Sequence, residues 1–217
     1  MKTSPIIIAL LFLTLFVGCK KKENNPDPNV LGGDPNVEFT QVNSTFALDV
    51  KIDNNVIDLG ENIKVISNNN GLATIKINAN VNQSPKLKQL LDRIPANIYD
   101  SQGNIDVTTQ FKATSEGIQD YFNKDGKAHT LVKYNAKVGD KYILKKSDGT
   151  TITRTVTARS EDNDFPYGFY MIKTITVEQD SRIPGIRKFI FKANHKFGIV
   201  HVEALLEDGS KISSYIF

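Results

Sequence analysis

One cysteine, Cys19, serves a chain of 217 residues, and tryptophan is absent. Without a second cysteine no internal disulfide can form, so a folded domain must be held by its core. Structural zinc sites built on cysteine are excluded as well. The three histidines, His129, His195 and His201, do not fall in a ligand pair such as His-x-x-x-His. The lack of Trp removes one sugar-stacking side chain, although 12 Phe and 7 Tyr leave other aromatic surfaces. No sign of charge dominates: 27 Lys and Arg against 24 Asp and Glu leave a formal +3. That balance gives no electrostatic case for nucleic acid. Gly-x-Ser-x-Gly, Walker and Gly-x-Gly-x-x-Gly patterns are missing, so no motif supports catalysis and no cofactor or metal is expected.

What is present begins at the N-terminus. Lys2 supplies a positive start, Ile6 to Val17 form an apolar run, and Gly18 is a small residue before Cys19. The run is shorter than the roughly 20 residues a spanning helix needs. The layout is that of an export signal cut before residue 19. Gly18-Cys19 at the end of the run resembles the signal box of bacterial lipoproteins, with Phe16 in place of the usual Leu and Val17 in place of a smaller residue. The resemblance implies that Cys19 becomes the first mature residue, carrying diacylglycerol and an N-acyl chain. It also implies an outer-membrane location, since Lys20 rather than Asp follows the cysteine. Several buried acyl chains, each contributing about 0.8 kcal/mol per CH₂, give stable anchoring to the membrane.

Residues 1–18 therefore read as a signal peptide and 19–38 as a lipidated, flexible tether. The tether holds Asp-Pro-Asn-Val twice, around Gly32-Gly33, and Pro and Gly at this density oppose helix and sheet. Such a tether spans roughly 25 Å on average. Residues 39–217 read as a single, mostly β domain, with a possible subdivision near 125.

Within it, Phe46, Leu48, Val50 and Ile52 alternate with Ala47, Asp49 and Lys51, the period of a half-buried strand. Further strands are predicted around 63–66, 72–77 and 105–111, with turns at Gly60-Glu61-Asn62 and Asn68 to Gly71. Ser84, Pro85 and the stripe Leu87, Leu90, Leu91, Ile94 predict a helix ended by Pro95. Ile118, Tyr121 and Phe122 predict a second short helix at 115–123. From about 128 onward, strands are expected near 129–135, 141–147, 150–159, 168–178, 187–194, 198–206 and 211–217. Asp125-Gly126, Asp148-Gly149 and Asp208-Gly209 act as turn signals. The fold class is α+β, mainly β: a coiled antiparallel meander with two short helices, or alternatively a β-barrel or two-sheet sandwich. Lys137 to Tyr142, Lys196 to Val200 and Leu206 to Gly209 resemble uncharacterised bacterial lipoproteins over the last 90 residues or so. That resemblance implies fold and class, not activity.

Few residues offer chemistry. His201 and Glu203 share a strand face, which reads as a solvated face. The threonines at 151, 153, 155 and 157 read likewise. The acidic loop Glu161-Asp162-Asn163-Asp164 lacks the glycine and distal glutamate of a calcium loop. Phe165-Pro166-Tyr167-Gly168-Phe169-Tyr170 follows it. Two readings are open there: Phe165 and Phe169 plug the sheet end and only a tyrosine hydroxyl meets water, or Tyr167 is exposed and contacts a ligand or protein together with Asp162 and Asp164. Three functional classes stay open. They are a non-enzymatic binding or interaction module with an unknown protein or small-molecule partner, a carrier of a lipid or other apolar ligand in a curved sheet, and a hydrolase without a recognisable motif.

Overall fold

The computed structural model describes residues 29–52, 55–80 and 100–217, together with 82, 85, 88, 89 and 92. Cys19 and the signal segment lie outside the described residues. So do the apolar positions of the first expected helix, Leu87, Leu90, Leu91 and Ile94; Pro85, Lys88 and Gln89 are helical.

The first half comprises β1 (Thr45–Ile52), β2 (Asn55–Asn69), β3 (Leu72–Asn80), β4 (Asn104–Thr114), β5 (Gly117–Asp120) and β6 (His129–Lys133). The second comprises β7 (Lys141–Lys145), β8 (Thr151–Arg159), β9 (Phe165–Tyr167), β10 (Tyr170–Ile172), β11 (Ile175–Asp180), β12 (Ile186–Asn194), β13 (Gly198–Leu206) and β14 (Lys211–Ile216). Twelve of these form one sheet, in the order β6-β5-β4-β3-β2-β1-β14-β13-β12-β11-β8-β7. Every neighbouring pair is antiparallel, and β14 returns beside β1 to join the two halves.

Turn chemistry sets much of this meander. Asp148 and Asp208 make the same turn: each Oδ1 accepts from the backbone N–H and the hydroxyl of the residue two ahead, Thr150 or Ser210. Gly149 and Gly209 then take positive φ, 80° and 85°, which only glycine adopts without a Cβ penalty. Asp125-Gly126 does not close a tight hairpin. It sits in a longer loop, and Asp125 instead accepts from the backbone and hydroxyl of Ser147. Gly60 is not in a turn either. β2 runs through it, and its register against β1 jumps from Asp49↔Asp58 to Ala47↔Glu61, so the glycine marks a bulge.

The expected second helix is a strand. Ile118, Tyr121 and Phe122 suit a helical face, but Gly117 to Asp120 pair with β4 on one side and β6 on the other. Gly117 shows why: a Cβ there would lie 2.2 Å from the Val132 carbonyl oxygen. Backbone approach that close belongs to a strand pair.

Bulges in five of the strand pairs, among them β1–β2, β2–β3 and β12–β13, curve the sheet. It curls until its two edge strands, β6 and β7, lie side by side. They are not joined by a backbone ladder. The His129 Nε2–H donates to the Tyr142 carbonyl at 3.1 Å, and the Lys133 N–H donates to the Tyr142 hydroxyl at 3.1 Å. The architecture is thus a nearly closed antiparallel barrel, nearer to the barrel alternative than to a sheet carrying two helices. About eight strands give a barrel that side chains can fill; twelve leave a lumen.

The end of the expected tether packs on this barrel, which corrects its reading as flexible up to residue 38. Leu31 is buried, Gly32 N–H donates to the Glu116 carboxylate, and Asp34 and Ser115 bond reciprocally. Asn29 crosses the open seam. Its carbonyl accepts from Gln119 on β5, its amide oxygen accepts from Thr130 N–H on β6, and its amide N–H₂ donates to the Ile143 carbonyl on β7. The strap continues as a 3-10 turn, Glu38–Thr40, set at the same end of the barrel.

Candidate functional site

The lumen is a cavity of about 530 Å³. It is built by alternation. Ile63 and Val65 on β2, Ala73, Ile75 and Ile77 on β3, Phe111 and Ala113 on β4, and Phe189 and Phe191 on β12 all face it, positions two apart on their strands. The small Ala73 and Ala113 lie opposite one another's strands where larger side chains would fill the space. A volume in the range of about 300–1,000 Å³ with mostly apolar walls is what small-molecule sites present.

Four polar side chains interrupt that wall: Thr40 from the strap, and Asp120, Arg154 and Gln179 from the strands. Arg154 takes an inward position of β8, between Ile152 and Val156, and its side chain is 4% exposed. Its guanidinium lies 2.7 Å from Asp120 on β5, and its Nε–H donates to Gln179 on β11. Nη1 donates to the carbonyls of His129 and Thr130 on β6. One side chain therefore ties β5, β6, β8 and β11 across the seam that the backbone leaves unpaired. Burial pushes the Asp120 carboxyl above its ordinary range, and the charge of Arg154 opposes that rise. Sequence reasoning missed both residues. The signal existed in the two-residue period: a charge at 154 on an apolar face, and another at 120, two positions from Ile118.

His129 is buried beside this pair. Desolvation first, then the Arg154 charge, lowers its pKa to about 4, so it is neutral and can donate through Nε2 to Tyr142. His201 is also buried, correcting the reading of its face as solvated. The β9–β10 hairpin lies over it on the outside of the sheet. Its ring meets Tyr215 at 4.6 Å and Phe165 at 5.9 Å, and desolvation lowers its pKa to about 4.

A second, larger concavity of about 950 Å³ lies at the strap end. It is bordered by the ends of β8 and β12, the starts of β1 and β11, and β10. Phe39 from the strap, Phe46 from β1 and Phe197 before β13 line both spaces. These three rings form the partition between an outer vestibule and the inner cavity. Gly198 makes room for one of them: its φ is 75°, and a Cβ there would lie 2.9 Å from the Phe39 ring.

Tyr167, Asp162 and Asp164 line neither cavity. Tyr167 is half-buried rather than exposed, with its ring against Phe197 at 4.6 Å and Phe217 at 5.5 Å. Asp162 and Asp164 are exposed, and Asp164 accepts from the Ser160 hydroxyl at 2.7 Å. Phe165 is buried as expected, but Phe169 plugs nothing. It follows Gly168 in the two-residue loop of the hairpin and stands fully in solvent, next to the exposed Tyr170 and Met171. No group of three or more His, Cys, Asp or Glu able to hold a metal exists among the described residues.

No family model matches the sequence, and no curated protein matches it. Among solved structures the chain is similar to a protein of Bacteroides fragilis NCTC 9343 assigned as exported, with a YmcC-like fold. The two share 9% identity and a TM-score of 0.46, over 82% of this chain and 95% of that one.

Proposed function

We propose that this protein is an envelope lipoprotein, anchored through Cys19, that carries an apolar chain inside its barrel. The observation that carries the reading is the 530 Å³ apolar cavity at the centre of the fold. A chain entering it transfers about 0.8 kcal/mol per CH₂ out of water. A pocket that is already formed lowers the ordering cost of binding. The reading is carriage because the walls are mostly apolar side chains of β2, β3, β4 and β12. The buried Arg154–Asp120 pair compensates itself and holds the wall.

The test is displacement of a neutral apolar fluorophore, N-phenyl-1-naphthylamine, from the purified chain. One molecule per chain should bind. Ala73→Phe, at a wall position 1% exposed, should weaken binding at least about tenfold, equivalent to roughly 1.4 kcal/mol, while cooperative unfolding is kept. Binding that is absent, or unchanged in Ala73→Phe, refutes the carrier reading.

A second reading, the interaction module, is favoured by the hairpin tip, where Phe169, Tyr170 and Met171 are exposed in a row. In that reading Tyr167, Asp162 and Asp164 flank the contact with a protein partner. Phe169→Ser should then abolish capture of that partner without altering fluorophore binding.

A further inference from the structure

The vestibule outside the cavity has a charge pattern the interior lacks. Arg159, Lys173 and Lys196 line it with His195, against one carboxylate, Glu38. None of the three cations is in an ion pair among the described residues, although many other lysines are. Arg159 is also held in place. Its Nη1 donates to the carbonyls of Tyr134 and Ala136 at 2.8 and 3.0 Å. Its Nε and Nη2 make no hydrogen bond among the described residues, so a fixed guanidinium keeps donors for an incoming acceptor. Lys196 lies over the Phe197 ring, 5.4 Å from its centroid, which places that charge beside the partition. Tyr134, also on the vestibule wall, has a buried hydroxyl without a partner. The acidic residues Glu161, Asp162 and Asp164 follow Ser160 in sequence but do not line this space.

Cations without counter-charges, on the far side of three phenylalanines from an apolar cavity, match the two ends of one kind of molecule. We infer that the vestibule seats the anionic headgroup, carboxylate or phosphate, of an amphiphile whose apolar chain passes Phe39, Phe46 and Phe197 into the barrel. This rests on the carrier reading and adds to it a ligand class. Neutral waxes and sterols fill an apolar cavity equally well but leave the cations unmatched. Arg159 grips the headgroup in a fixed direction, while the exposed Lys173 and Lys196 supply mobile charge.

Competition against N-phenyl-1-naphthylamine with four probes of equal chain length tests it: palmitate, hexadecyl phosphate, hexadecanol and hexadecyltrimethylammonium, each below its micelle threshold. At least one anion should compete about tenfold better than hexadecanol, and the cation worst; a tenfold preference corresponds to about 1.4 kcal/mol. Which anion leads distinguishes a carboxylate from a phosphate ligand. Lys173→Gln with Lys196→Gln, both exposed positions that leave Arg159 and its carbonyl contacts intact, should cut the anion preference to about threefold or less and leave hexadecanol unchanged. Raised salt should act in the same direction. Equal competition by anions and hexadecanol, or an anion preference untouched in the double variant, overturns the headgroup site while the carrier reading stands. Failure of all four probes against a fluorophore that does bind overturns the amphiphile class. A fluorophore that does not bind overturns the carrier reading, and this inference with it.

Discussion

Replacing Arg154 by Met removes the clamp but keeps most of its volume. The loss can be followed atom by atom. Asp120, with a side chain 2% exposed, would keep only the Phe122 N–H, at 3.1 Å, as donor among the described residues. The carbonyls of His129 and Thr130 and the Gln179 side chain would lose their charged donor. Removing one member of a buried pair costs roughly 3–5 kcal/mol. For a chain of this size each kcal/mol moves Tm by about 2–4 °C, so the midpoint should fall by about 6–20 °C at pH 8. The cost must depend on pH, because a carboxyl left without its cation can take a proton. Its folded-state pKa, already raised by burial, rises further once Arg154 is gone, while the unfolded value stays near about 3.9. Between those values the native state holds the proton more tightly than the unfolded state, so stability falls as pH rises. Urea unfolding followed by circular dichroism should therefore show a smaller penalty for Arg154→Met at pH 5 than at pH 8. Adding Asp120→Asn should remove the part of that difference that comes from Asp120. A penalty below about 1 kcal/mol at pH 8, far under what an orphaned buried charge costs, would refute the clamp. So would the same penalty at both pH values.

His129 and His201 give the wild type its own acid sensitivity. Their folded pKa of about 4 lies below the ordinary histidine value of 6.5, so stability present above pH 6.5 is lost as pH falls towards 4. The loss is up to about 3 kcal/mol per histidine. His201→Leu should flatten the decline in urea midpoints between pH 7 and pH 4.5. Gly198→Ala forces a Cβ into the Phe39 ring at a φ of 75°. Stability should drop by about 1–3 kcal/mol, and the fluorophore should exchange faster as the partition opens; an unchanged off-rate argues against Phe39 as part of it. Cys19→Ala should block lipidation and leave uncleaved precursor. Labelling with a radioactive fatty acid reports it directly, and a labelled variant refutes the anchor.

What the sequence determined by itself was local. The two-residue alternation from Phe46 to Ile52 placed β1, and Asp148-Gly149 and Asp208-Gly209 placed two turns, because a strand face and an αL glycine are encoded by neighbours. Strands β3, β4, β6, β7, β8, β12, β13 and β14 were legible within a few residues for the same reason. The tertiary structure decided the rest. Whether Gly117 to Asp120 is helix or strand depended on the carbonyl of Val132, which no local pattern contains. Gly60 reads as a turn until β1 is laid beside it. The solvation of His201 depended on a hairpin some 30 residues earlier in the chain. The cavity depends on how many strands curl before the edges meet, and the seam is tied by Arg154 and Asp120, 34 positions apart (154 − 120). A charge on an apolar face shows in the sequence, but its partner does not, because burial of a charge becomes tolerable only when a distant strand delivers the opposite one.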